Sequence, residues 1–257
     1  MFRLVVVAAL TTAMVACQSD VPAHTDTSDL GCGTVTAAVQ AMHENLTLPP
    51  YFSEPNAVKR GGEFDANRIF EALPHLKMRD GFTLDYVYHQ DRMGGYPKLY
   101  VRPVAQPPYV NEAAFEAAVA KPPDYLTFVT PRDSPEGYFE FAVLAMTANQ
   151  FYLDWHANYN DWQVVCGSDG VEKIIGDLNG ETPFDKPMTA EQQQAARVIP
   201  EPQPSVTMTD ETATVTMLVF SKWDGLKRRT LTIDRNDHSI RDERDEPLVE
   251  YDCGVRF

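Results

Sequence analysis

Val35, Val39 and Met42 recur at helical spacing, so a first helix is expected from Gly33 to Leu46, ended by Pro49-Pro50. Asp65 stands at an N-cap position ahead of Ile69, Phe70 and Leu73, and Pro74 closes that short helix. From Phe82 the period drops to two. Phe82, Leu84, Tyr86 and Tyr88 share one face, and Thr83, Asp85, Val87 and His89 share the other. A five-residue link from Asp91 to Gly95 leads to a second run, Tyr96 to Val101, which predicts a hairpin. Pro97 cannot donate to a ladder, so this strand begins there or lies at a sheet edge.

Asn111 caps an alanine-rich helix to Ala120, and Tyr125 to Val129 reads as a strand. Ser134 followed by Pro135 opens a helix that is apolar on most sides and is expected to run to about Tyr159. A strand from Tyr138 to Ala145 is the competing reading. Ser168 caps a helix through Ile174, Ile175 and Leu178, and Thr189 to Gln192 is a capping box opening a helix to Val198. Pro200-Glu201-Pro202-Gln203-Pro204 breaks it. Beyond that break, residues 212–220, 229–234 and 248–252 alternate as antiparallel strands, with turns at Asp224-Gly225 and Asn236-Asp237. Helices and a hairpin come first and a meander last, without β-α-β alternation, so the class is α+β. The C-terminal strands are too few for a core of their own, so a single domain is expected, its final sheet packed on the long buried helix.

The N-terminus follows a different rule. Arg3 precedes an apolar run from Leu4 to Ala16, shorter than the roughly 20 residues of a membrane span and typical of a secretory signal. The run closes on Met14-Val15-Ala16-Cys17. This resembles the lipobox of bacterial lipoproteins, with Met14 where that family usually has leucine. The resemblance implies a signal peptide over residues 1–16, cleavage before Cys17, a diacylglycerol on the Cys17 sulfur and an acylated amine, commonly with palmitate. Several chains on one residue anchor stably where one does not. Gln18 rather than Asp follows Cys17, which in this family implies the outer membrane, the body facing the periplasm or the cell surface. Residues 17–31, rich in Ser, Thr, Asp and Pro, read as a lipidated tether, and residues 32–257 as the globular domain.

An exported chain meets an oxidising compartment, so Cys32, Cys166 and Cys253 are disulfide candidates. Cys166 and Cys253 each follow a strand-like stretch, and their pairing is favoured over a bridge from either to Cys32 or three free thiols. The formal charge of −15 argues against a nucleic-acid partner.

The densest polar-aromatic cluster runs from Asp154 to Trp162. At a helix end His156 and Asn160 would stack at i, i+4, as would Trp155 and Tyr159. His156 could then serve as a general base with Asp161 or a distant carboxylate, although a structural junction is the stronger reading. Neither G-x-S-x-G nor H-E-x-x-H occurs, and Asp234 to His238 departs from a calcium loop at Ser239 and Asp245. No metal or cofactor is expected. The tyrosines at 86, 88, 96 and 100 suit a core stripe better than a groove.

From Lys222 to Arg244 seven basic residues stand against five acidic ones. Lys227-Arg228-Arg229 is expected on a solvated sheet face with ion pairs to Asp242 or Glu243; contact with an anionic surface is the alternative. The functional expectation is a membrane-anchored envelope lipoprotein with a non-catalytic binding or structural role, partnered by the membrane and by an envelope protein or cell-wall component. The alternative is a periplasmic hydrolase using His156 with a carboxylate.

Overall fold

The computed structural model describes residues 30–155, 162–180 and 186–254, together with the backbone of residues 24–26. Six helices and eleven strands alternate irregularly along these residues, an α+β arrangement. The helices are α1 (Cys32–Glu44), α2 (Ile69–Ala72), α3 (Glu112–Ala118), α4 (Pro135–Thr147), α5 (Gly167–Leu178) and α6 (Ala190–Arg197). The strands are β1 (His24–Asp26), β2 (Leu76–Met78), β3 (Phe82–Asp91), β4 (Gly94–Pro103), β5 (Val129–Pro131), β6 (Asp154–Trp155), β7 (Gln163–Val165), β8 (Ser205–Met208), β9 (Thr212–Ser221), β10 (Gly225–Asp234) and β11 (Ile240–Val249). Among the described residues no helix is long and apolar enough to cross a membrane.

The main sheet runs β1-β8-β9-β10-β11, with β7 beside the far end of β9. β9 is buried on both faces. Val215, Met217 and Val219 meet α4 and the main core, whereas Leu218 and Phe220 turn to a second cluster with Val171, Ile174 and Ile175 of α5. The expected C-terminal meander is therefore present, but β11 begins at Ile240, well before Leu248. The turn from β9 into β10 depends on Gly225, whose φ is +77° and whose place would not admit a Cβ because the Val249 carbonyl oxygen lies against it. β1 lies inside the stretch expected to be a plain tether, paired antiparallel with β8.

Helix α4 starts as its sequence indicates. The Ser134 side chain accepts from the Gly137 amide, and Pro135 occupies the first turn. Ten of its residues are buried, including Phe139, Phe141, Leu144 and Met146, as an all-round apolar helix requires. It ends at Thr147 rather than near Tyr159. Thr147 Oγ1 donates to the Val143 carbonyl at 2.7 Å, and Tyr152 and Trp155 have φ of +52° and +48°, which no helix accommodates. Phe151 and Tyr152 leave the helical path for an aromatic cluster. Phe151 lies 4.8 Å from Phe64 and 4.9 Å from Tyr86, and Tyr152 lies 5.6 Å from Phe52. The apolar run that suggested a continuing helix carries no periodicity to mark this exit.

The β3–β4 hairpin forms, with a tighter turn than expected: Asp91 faces Gly94, leaving only Arg92-Met93 between the strands. The Met93 amide donates to Asp91 Oδ1 at 2.7 Å and secures that turn. β4 starts before Pro97, and among the described residues it has a strand on its outer side only at Gly94 and Gly95, which leaves Pro97 on an edge. Tyr125 to Phe128 is a 3-10 turn with Asp124 as cap, and the strand follows it at Val129. The caps read at Asp65, Asn111 and Thr189 all accept backbone amides, and Thr189 with Gln192 completes the capping box.

The disulfide joins Cys32 to Cys166, with Cα atoms 5.8 Å apart, and Cys253 is a buried free thiol. The favoured Cys166–Cys253 pairing is thus corrected, for a topological reason. Beyond β11 the chain crosses back so that the Cys253 amide donates to the Lys222 carbonyl past the end of β9, whereas Cys166 follows Val165, which faces Leu218; the four residues of strand between Leu218 and Lys222 span roughly 13 Å, beyond disulfide reach. Cys32 meets Cys166 because α1 and α5 start side by side, each cysteine standing at its helix's first turn or cap. A non-reducing peptide map should recover the Cys32–Cys166 pair, and a Cys166–Cys253 peptide would refute this topology. Replacing both bridged cysteines by serine should cost about 2–5 kcal/mol of unfolding free energy, read by chemical denaturation.

Candidate functional site

Cys17, His156 and Asp161 lie outside the described residues. The part of their neighbourhood that is described differs from expectation: Asp154 and Trp155 form the short strand β6, not the end of a helix. Trp162 instead lies under the basic stripe, with Arg229 4.5 Å and Lys227 5.4 Å from its ring centroid. That stripe is ion-paired. Arg229 holds Asp245 through two hydrogen bonds and Glu243 at 3.4 Å, Lys227 meets Asp224 at 3.0 Å, and Arg228 meets Glu246 at 3.7 Å. Cross-strand register explains the main partner, since Arg229 stands opposite Asp245. Asp242 pairs with Arg244 instead. Tyr86, Tyr88 and Tyr100 are core residues.

Two histidine–carboxylate pairs occur elsewhere. Glu140, inside α4 and only 2% exposed, accepts His75 Nδ1 at 2.6 Å and the His75 amide at 2.7 Å. Both carboxylate oxygens are thereby occupied, and the pair ties the start of β2 to α4. His89 Nδ1 meets Glu112 at 2.8 Å and His89 Nε2 faces Asp91 at 3.6 Å, while Lys98 also bonds Glu112. With carboxylates at both ring nitrogens, His89 bridges the hairpin to α3 rather than standing free as a base. Among the described residues no group of three or more His, Cys, Asp or Glu is placed to hold a metal. The Asp234 turn is closed by its own chain: Asp234 accepts the Asn236 amide at 2.7 Å and the Arg241 guanidinium.

The best-built polar site is a cavity of about 380 Å³ between β3, β4 and the segments around residues 59–67 and 108–110. Its volume lies in the range of small-molecule sites. Asn67 builds one wall by imitating a neighbouring strand: Nδ2 donates to the Leu84 carbonyl at 2.9 Å, and Oδ1 accepts the Leu84 amide at 3.0 Å. At the centre lies Asp85. Its Oδ1 accepts Lys59 Nζ at 2.6 Å and the Tyr86 amide at 2.8 Å, and its Oδ2 accepts Arg102 Nε at 2.8 Å. Two cations thus share one carboxylate, with side chains 14% and 17% exposed. Lys59 Nζ also sits 4.4 Å above the Tyr86 ring.

Glu63 forms another part of the lining. Burial would raise its pKa, but the Tyr51 hydroxyl and the Arg60 and Gly61 amides all donate to it and hold it below the usual carboxylate value. Tyr86 contributes a different feature: its hydroxyl is buried and has no hydrogen-bond partner among the described residues, and burial raises its pKa so that the phenol stays protonated. Sequence reading missed Lys59 and Arg102, because nothing local links them to Asp85. Asp85, on the strand face opposite the core tyrosines, gave no sign of its burial.

No family model, no curated protein and no solved structure matches this chain.

Behind the cavity wall, His43 packs between Phe64 and Phe151, with ring centroids 6.5 and 6.2 Å away, and its Nε2 has no partner among the described residues. Burial lowers its pKa from 6.5 to about 4. The folded state therefore resists a proton that the unfolded chain accepts, so stability falls as pH drops from 6.5 towards 4 and levels off below that. The loss should approach about 3 kcal/mol. Chemical denaturation across this window should show the drop in the native chain and a flatter profile in His43→Leu; parallel profiles would sink the assignment.

Proposed function

We propose that this chain is a lipid-anchored bacterial envelope lipoprotein whose α+β body is a non-catalytic binding module. The observation that carries the reading is the N-terminal pattern: Arg3, the apolar run from Leu4 to Ala16, and Met14-Val15-Ala16-Cys17. The Cys32–Cys166 disulfide supports it, because such bonds persist in oxidising compartments. Binding rather than hydrolysis is favoured because the cavity's carboxylates are already engaged: Asp85 by Lys59, Arg102 and the Tyr86 amide, and Glu63 by Tyr51 and two backbone amides. The envelope partner would be reached from an anchor on Cys17, with the outer membrane favoured by Gln18.

Intact-mass analysis of the protein extracted from bacterial membranes tests the anchor. The expected mature chain starts at Cys17 and carries a diacylglycerol and an amide-linked acyl chain. Cys17→Ser should abolish metabolic labelling by an alkyne fatty acid and leave the chain uncleaved at that site. A mature N-terminus elsewhere, or labelling that survives the substitution, would overturn the reading.

A further inference from the structure

β1 is short, but it decides where the chain enters the body. His24 stands opposite Met208, Met208 opposite Ala213, Ala213 opposite Ile233, and Ile233 opposite Ile240. This row closes one end of the main sheet, and two turns lie just beyond it. The Thr209 amide donates to the Thr212 carbonyl at 2.8 Å, and the Asp234 amide to the Ser239 carbonyl at 2.9 Å. The Arg235 amide joins the two turns by donating to the Glu211 carbonyl at 2.9 Å. The Arg235 guanidinium then holds Asp133, just ahead of α4, at 2.7 and 3.0 Å. The chain that enters β1 at His24 therefore arrives at this pole. The other end of the sheet lies eight residues further along β9, at Ser221, roughly 27 Å away. There Ser221 faces Gly225, and Leu226 faces Val249, which Glu250 follows.

Covalent reach turns this placement into a constraint on a lipid-anchored chain. Six residues, Gln18 to Ala23, separate Cys17 from His24. Full extension allows about 25 Å between the two. The roughly 225 residues from Cys32 onward make a body about 45 Å across. With the opposite pole on the bilayer, the tether would have to cross that whole width, which it cannot. Were β1 unpaired, the first fixed point would be Leu30, buried in the main core. The reach would then grow to about 45 Å, and no face of the body would be excluded. Pairing of β1 with β8 is thus what selects a face. We propose that β1 is a strap that turns the pole formed by residues 209–212 and 234–239 towards the lipid surface and keeps the β9–β10 turn at Gly225 on the far side. Arg235 is spent on Asp133, and Arg241 on Asp234 and Glu211, so these cations are not what draws the pole to lipid.

This rests on the lipid anchor at Cys17 and not on the binding-module reading. The test is energy transfer from the lipidated full chain to rhodamine-labelled headgroups in phosphatidylcholine vesicles. A donor dye is carried by an azide-bearing residue placed at Asn236 in one sample and at Glu250 in another; both positions are exposed. Transfer from position 236 should be at least about twofold more efficient than from position 250. Equal or reversed transfer overturns the proposal. So does a preference that appears only when anionic lipid is added, which would be electrostatic docking.

Thr25→Pro combined with Asp26→Pro isolates the strap. Alternate amides of an antiparallel strand face the partner, so one of these two changes removes a ladder donor. The difference between positions 236 and 250 should then shrink at least about twofold. An unchanged difference overturns the strap. Intact mass separates the two readings. A chain without lipid on Cys17 overturns both, and a lipidated chain with equal transfer overturns the strap alone.

Discussion

Burial of α4 on every side is the constraint from which the other parts of the structure take their positions. A helix this apolar has no solvent face, so other elements must cover it all round. β8 and β9 cover one side, and α1, β2 and β5 reach it from others. Its one buried carboxylate, Glu140, could not remain in such a place unpaired. His75 supplies both donors, one from its ring and one from its backbone. The electrostatic need of a single residue thus fixes where β2 begins.

Among the described residues the main sheet separates two of the three apolar clusters, one around α4 and one around α5, the third lying between the β3–β4 hairpin and α3. The disulfide connects the start of α1 to the cap of α5 and so links the elements on the two sides of that sheet. Crosslinks between distant parts of a chain restrict the unfolded state most. On the outer strands, charge is managed by register. Arg229 stands opposite Asp245, and the basic stripe is neutralised by the acidic run of β11. A segment that looks like an anion-binding patch in one dimension is, in three, a closed set of pairs.

The Asp85 cavity follows the opposite principle. Its carboxylates are satisfied, and among the described residues Arg102 keeps Nη2 without an acceptor. It is held by strand register and by Asn67 acting as a substitute strand partner for Leu84.

Local chemistry was legible in the chain from the start. Ser134-Pro135, Asn111, Asp65 and the Thr189 capping box act within three or four residues, so their signals survive without tertiary context. The period-two runs likewise determined the hairpin and the C-terminal strands, and with them the α+β class. What lay beyond local reach depended on distant partners. α4 ends early because Phe151 and Tyr152 are drawn into contacts with Phe52, Phe64 and Tyr86. Cys166 pairs with Cys32 because α1 and α5 start together, while Cys253 is carried past β11 to the end of β9 at Lys222. Lys59, Asp85 and Arg102 meet only through the pairing of β3 with β4 and the return of the loop at Lys59. Capping and periodicity are short-range and written in neighbouring residues; aromatic docking, disulfide pairing and shared charge are decided by which faces the core brings together.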